Sequence, residues 1–133
     1  MNDIADRIAI QELVATYNDA VMRLDADAWG STWAENGVWS LPGMADGIQG
    51  REAIVATWKM AMAQFEFVGF FGSHGPISVD GDTATGTVYQ QEILDQKDGS
   101  SRNVIGRYAD EYVKEEGQWR FNKRVYEILR DRG

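Results

Sequence analysis

The N-terminal part of the chain sets apolar residues at a helical period. Ile4, Ile8, Leu13, Tyr17, Val21 and Leu24 recur at spacings of three to five, which predicts one amphipathic helix over residues 3–24. Asp3 suits its N-cap, and Asp6 lies in the first turn, where the helix dipole favours a carboxylate. A second, short helix is predicted over residues 26–34, with Trp29 and Trp33 four apart on one face. Asn36-Gly37 then breaks the pattern, residues 38–41 read as a short strand, and a loop runs from Pro42-Gly43 through Asp46-Gly47. Ile54, Trp58 and Met62 form the stripe of a third helix over residues 50–64.

From Phe65 onward the period changes to that of strands. Residues 65–79, 83–94, 102–114 and 119–129 are β-rich, joined by hairpin-type turns at Asp80-Gly81-Asp82, Lys97-Asp98-Gly99 and Glu115-Glu116-Gly117. Four long strands with short turns predict an antiparallel meander. Helices first and sheet afterwards make the class α+β, with three helices on one face of a curved antiparallel sheet. Strands this long twist and curl, and Gly69, Gly72, Gly75, Gly86 and Gly106 mark bulges or bends within them. The expected shape is a cone with an internal apolar pocket, closed by the strand pair over residues 106–121.

With 133 residues and 44% hydrophobic content, the chain is expected to form a single domain over residues 1–133. Five Trp, five Tyr and five Phe supply a core and also suit the walls of a site for flat apolar ligands. A formal charge of −8 argues against nucleic acid or an anionic membrane as partner. The lack of cysteine excludes disulfides, thiolate nucleophiles and cysteine metal sites. No signal-peptide pattern opens the sequence, and no apolar run approaches the roughly 20 residues of a membrane span, so a cytoplasmic protein is expected.

Six segments in order then resemble one family. They are Ile10-Gln11-Glu12-Leu13 with Tyr17, Asp25 to Trp29, Ala34-Glu35-Asn36-Gly37-Val38-Trp39, Gly50-Arg51-Glu52-Ala53-Ile54, Val79-Asp80-Gly81-Asp82-Thr83-Ala84, and the run from Gly106-Arg107-Tyr108 to Trp119-Arg120-Phe121. Together they resemble the SnoaL-like branch of the nuclear transport factor 2-like (cystatin-like α+β) superfamily over nearly the whole chain. That resemblance implies the cone fold. It includes polyketide cyclases, dehydratases, isomerases and a dehydrochlorinase, but also non-catalytic proteins, because one fold hosts many activities. Dehydratase-like members pair an Asp at the end of the first helix with a His on the third strand. The resemblance assigns the Asp position to Asp25 and puts Phe70, four residues before His74, at the His position.

Two residues are the candidate catalytic groups. Asp25, if it lies in an apolar cavity, has a raised pKa and can act as a base near neutral pH; alternatively it caps the helix that starts at Ala26. His74 is the only histidine and the only side chain whose ordinary pKa lies near neutrality. It is either a base paired with Asp25 or part of a surface bulge, and no His-paired metal site can form. Tyr17, Tyr89 and Tyr108 could donate to a carbonyl or enolate oxygen, or serve as core aromatics. Arg107 shares a strand face with Ile105 and Ala109 and points either inward toward Glu92 or a substrate anion, or outward to a salt bridge. Trp39, Met44, Trp58, Phe70 and Phe71 read as pocket lining or core. The ligand-binding set is therefore Tyr17, Trp39, Phe70, Tyr89 and Arg107.

No phosphate loop, calcium loop or serine elbow is present, and no cofactor is expected. The leading expectation is a cofactor-independent lyase or isomerase, dehydratase- or cyclase-like, moving a proton on a small hydrophobic, cyclic substrate. The alternatives are a non-catalytic binding or accessory protein of the same fold, or a subunit of a larger oxygenase. A homodimer is expected through the outer sheet face, with Tyr108, Tyr112, Phe121 and Val125 at the contact.

Overall fold

A computed structural model describes residues 3–44 and 46–133. Ala45, inside the predicted 42–47 loop, lies outside the described residues. The elements are helices α1 (Ile4–Arg23), α2 (Ala26–Ser31) and α3 (Arg51–Met62), and strands β1 (Trp33–Ser40), β2 (Ile48–Gln49), β3 (Phe65–Asp80), β4 (Thr83–Gln96), β5 (Ser101–Glu115) and β6 (Gln118–Arg132). The sheet order is β2-β1-β6-β5-β4-β3. The four long strands form the expected antiparallel meander. β1 adds to it as a parallel neighbour of β6, and β2 pairs antiparallel with β1. One parallel pair thus enters a sheet read from the sequence as wholly antiparallel.

The helix α1 buries Ile10, Val14, Tyr17, Ala20 and Val21. Ile4, Ile8 and Leu24, placed on the core stripe by spacing alone, are 59%, 54% and 47% exposed. Asp3 makes no side-chain cap; it pairs with Arg7 at 3.0 Å. Asp6 instead accepts from Trp119 Nε1 at 3.0 Å and faces Lys114 at 3.4 Å, tying the first turn to β5 and β6.

Leu24 takes the left-handed conformation (φ 54°), with its N–H on Val21 O and the Asp25 N–H on Ala20 O. This ends α1 as a Schellman-type cap and turns the chain into α2. The second helix stops at Ser31, three residues earlier than its tryptophan spacing suggested, because Trp33 already pairs with Phe121 of β6. Asn36-Gly37 is consequently an irregularity inside β1 rather than the end of a helix.

Between α1 and the sheet lies an aromatic core. Trp29 stacks on Trp58 at 4.7 Å and 12°, and Tyr17 contacts Trp29, Trp33, Phe70, Tyr108 and Phe121 at 5.2–6.4 Å. Such pairs add about 0.5–1.5 kcal/mol each beyond area burial. Tyr108, Tyr112 and Phe121 are all buried here. They cannot form the outer contact assigned to them; only Val125 of that set is exposed. The outer face carries Phe67, Phe71 and Tyr89 instead. At the β5–β6 turn, Glu116 and Gly117 both have positive φ (53° and 78°), as a two-residue hairpin of type I′ requires.

Candidate functional site

Strand alternation sends one set of side chains into the cone. Opposite one another across β3, β4 and β5 stand His74, Val88 and Tyr108; then Gly72, Gln90 and Gly106; then Phe70, Glu92 and Val104. Phe70 and His74 therefore share the interior face by plain alternation. The bulge in β3 comes only after His74, before Ile77.

Arg124, wholly buried, anchors the polar part of this interior. Its Nε and Nη2 donate to Asp110 at 2.7 and 3.0 Å, and Tyr112 donates its hydroxyl to Asp110 at 3.1 Å. The guanidinium lies 3.7, 4.2 and 4.5 Å from the rings of Tyr108, Phe121 and Tyr17. Three π faces and a carboxylate hold the cation in the buried interior. Burial pushes the Tyr17 and Tyr108 phenols up, so both remain protonated donors at neutral pH. Tyr108 also accepts from Trp39 Nε1 at 3.3 Å. A second pair, Tyr126 donating to Glu92, lies further along the same face; burial holds the Glu92 carboxyl above its usual range despite that bond.

Several buried polar atoms have no hydrogen-bond partner among the described residues. In this region they are Asn18 Oδ1, both ring nitrogens of His74, Oε1 and Nε2 of Gln90, and Nη1 of Arg124. Gln90 is only 1% exposed. Native interiors rarely leave such groups bare, and here they come from four elements, α1, β3, β4 and β6. Burial is the main cause that lowers the His74 pKa, with the Asp110 charge opposing and the Arg124 charge assisting. The imidazole is thus neutral near pH 7 and has a free lone pair.

Asp25 occupies a different place. Its Oδ1 accepts from the Ala28 N–H at 3.0 Å, capping α2, and its Oδ2 pairs with Arg23 at 3.0 Å. The cap, then Arg23, lowers its pKa; the raised value expected of a carboxylate in an apolar cavity is therefore corrected. Arg7 reaches Ile77 O at 2.7 Å while Tyr17 meets Phe70, so α1 runs antiparallel to β3. Five residues of helix beyond Asn18 carry the chain about 7.5 Å one way to Arg23, and Asp25 follows the turn at Leu24. Two residues of strand beyond Gly72 carry His74 about 7 Å the other way. No hydrogen bond joins the two, and the expected dyad is not formed.

Of the other sequence-assigned residues, Tyr17, Trp39 and Phe70 line the interior. Tyr89 is 44% exposed on the outer face, where Arg107 stands opposite it and pairs with Glu127. Arg107 takes the outward of its two expected orientations. Met44 and Phe71, read as lining or core, are exposed. Sequence reasoning missed Asn18, Gln90, Asp110, Arg124 and Tyr126, and named Glu92 only as an inward partner for Arg107. Alternation from Tyr108 and Tyr112 would have placed Asp110 inside. Arg124 was hidden because β6 slips register between Phe121 and Lys123, so the buried positions run Trp119, Phe121, Arg124.

Among the described residues, no three His, Cys, Asp or Glu converge as a metal site. An open cleft of about 740 Å³ lies elsewhere, lined by Glu35, Arg51, Glu52 and Lys59 among others, and none of the unpaired interior residues borders it.

A family profile described as "SnoaL-like domain" matches residues 2–125. Among solved structures, a protein of unknown function from Mycobacterium tuberculosis is similar at 26% identity and a TM-score of 0.84, over 95% of this chain and 73% of that one. A candidate scytalone dehydratase from Novosphingobium aromaticivorans is 21% identical with a TM-score of 0.89, over 98% and 88%. A hexachlorocyclohexane dehydrochlorinase, LinA-type3, from Novosphingobium barchaimii is 19% identical with a TM-score of 0.84, over 97% and 90%. Among curated proteins, none matches by sequence.

Proposed function

Because the chain belongs to the SnoaL-like domain family, we propose that it is a cofactor-independent lyase or isomerase acting on a small cyclic substrate inside the cone. The observation that carries this reading is His74: an imidazole on the interior face, with both ring nitrogens buried and unpartnered and its pKa lowered. A neutral imidazole with a bare nitrogen is a general base ready for substrate. Two of the structural neighbours are named a candidate scytalone dehydratase and a hexachlorocyclohexane dehydrochlorinase, and both names denote eliminations.

In the reaction, His74 takes the proton from a carbon next to a carbonyl. That electron pair becomes a carbon–carbon double bond as hydroxide leaves the neighbouring carbon. The imidazolium returns its proton to the departing hydroxide, which leaves as water. Tyr17, kept protonated, is the donor available to the carbonyl oxygen, with Tyr108 donating to the Tyr17 oxygen behind it.

The test is dehydration of a cyclic β-hydroxyketone such as 3-hydroxycyclohexanone, followed by the ultraviolet absorbance of the enone. Turnover should fall at least about a hundredfold in His74→Gln. Equal rates in the two proteins would remove His74 from the chemistry. A second reading, a non-catalytic binder of a small hydrophobic molecule, draws on the absence, among the described residues, of any acid bonded to His74. A hydrophobic compound retained through purification, without conversion of any hydroxyketone, would favour it.

A further inference from the structure

We infer that Asn18 and Gln90 form a hydroxyl-recognition subsite beside His74, so that the molecule held in the cone is a ring compound bearing a hydroxyl group. This rests on the interior site proposed above and names what it selects. Gln90 reaches into the cone from β4 with both amide atoms unpaired, and Asn18 reaches from α1 with its carbonyl oxygen unpaired. The two meet over Gly72 of β3. A Cβ on that residue would stand 2.6 Å from Asn18 Nδ2 and 3.2 Å from Gln90 Oε1, so any side chain there would push the Asn18 amide away from its present position over the strand. His74 follows two residues later on the same face.

The chemistry of these atoms selects the ligand group. An amide offers one acceptor oxygen and two donors, and a neutral imidazole offers one donor and one acceptor. A hydroxyl donates one bond and accepts two, so it can accept from Gln90 Nε2 while donating to the Asn18 oxygen or a His74 nitrogen. A methyl or chloro substituent at the same point donates nothing and leaves the buried amides bare, which the site resists. Aromatic walls supplied by Tyr17, Phe70 and Tyr108 suit the ring that carries the hydroxyl. The competing explanation is structural: after small rotations the two amides bond only each other and fix α1 to the sheet.

Phenol and toluene separate these explanations, being rings of like size that differ in the hydroxyl. Their affinities for the full chain can be read from intrinsic tryptophan fluorescence, since Trp29, Trp33 and Trp39 are buried. Wild type should bind phenol about tenfold more tightly than toluene. Gln90→Met keeps the length and removes the amide, and should bring that ratio to about one with toluene affinity held. If Gln90→Met does not fold by circular dichroism, Asn18→Leu is read on the same ratio. A ratio unchanged in the variants, equal affinities in wild type, or no binding of either ring overturns the subsite. Phenol undergoes no elimination, so this result is independent of turnover. A ratio that collapses while His74→Gln keeps full activity retains the subsite and discards the catalytic reading; the reverse discards the subsite alone.

Discussion

Asp25 shows how one residue can satisfy two sequence readings and only one geometry. An aspartate directly before Ala26 is a sound N-cap on chemistry alone, and the Ala28 N–H takes that bond. The competing cavity role depended on which way the chain turns after α1, and nothing local in the sequence encodes that turn. The left-handed Leu24 swings Asp25 out beside Arg23. Asp25→Asn keeps an acceptor for Ala28 and should leave both turnover and thermal midpoint close to wild type. Asp25→Ala loses the cap and should lower the midpoint while sparing turnover. Turnover in Asp25→Asn falling as far as in His74→Gln would return the carboxylate to the mechanism. His74 was legible as a lone ionisable group but not as an interior one. Its placement needed the register of β3 against β4, fixed by pairs as distant as Phe65 with Gln96.

At the scale of elements, type was easier to read than phase. The helices and long strands appear where periodicity and turn chemistry put them, within a few residues at the ends. The burial phase of α1 did not follow from its apolar spacing, because Ala20 serves as a core residue while Ile4 and Ile8 do not. On β6 a register slip moved the buried set by one position and concealed Arg124. Such irregularities depend on the partner strand, so a single strand's alternation cannot report them. Leu24 makes the α1–α2 junction testable. A branched residue at φ 54° bears a steric penalty that glycine lacks, and Leu24 is 47% exposed, so little burial is lost with its side chain. Leu24→Gly should therefore stabilise the protein by about 0.5–1 kcal/mol, a rise of a few degrees in the thermal midpoint. A lower midpoint would mean that packing of Leu24 against α2 or α3 outweighs the relief of strain.

Over the whole molecule, the six ordered segments carried the fold, while the polar interior emerges only when four elements are brought together. That interior should govern how stability responds to pH. Burial, against the Tyr126 bond and the Arg102 charge, holds Glu92 above its ordinary 4.5. The folded chain then holds this proton more readily than the unfolded one, so ionised Glu92 destabilises fully above its folded pKa and not at all below about 4.5. His74 has the opposite sign. The unfolded chain takes the proton first, so stability declines as pH falls from about 6.5 to the lower folded pKa and then levels. Asp6, Asp98 and Asp131, lowered chiefly by hydrogen bonds from Trp119, Ser100 and Arg102, withdraw their stabilisation only in stronger acid. Urea midpoints across this range can resolve the two interior groups. Glu92→Gln keeps an acceptor for Tyr126 and removes the buried charge, so it should exceed wild type in stability at pH 7, with the gain gone by about pH 4. His74→Gln should lose the decline just below pH 6.5 and leave the acid limb unchanged. Were Glu92→Gln less stable than wild type at neutral pH, the ionised Glu92–Tyr126 bond would have to outweigh the cost of burying its charge.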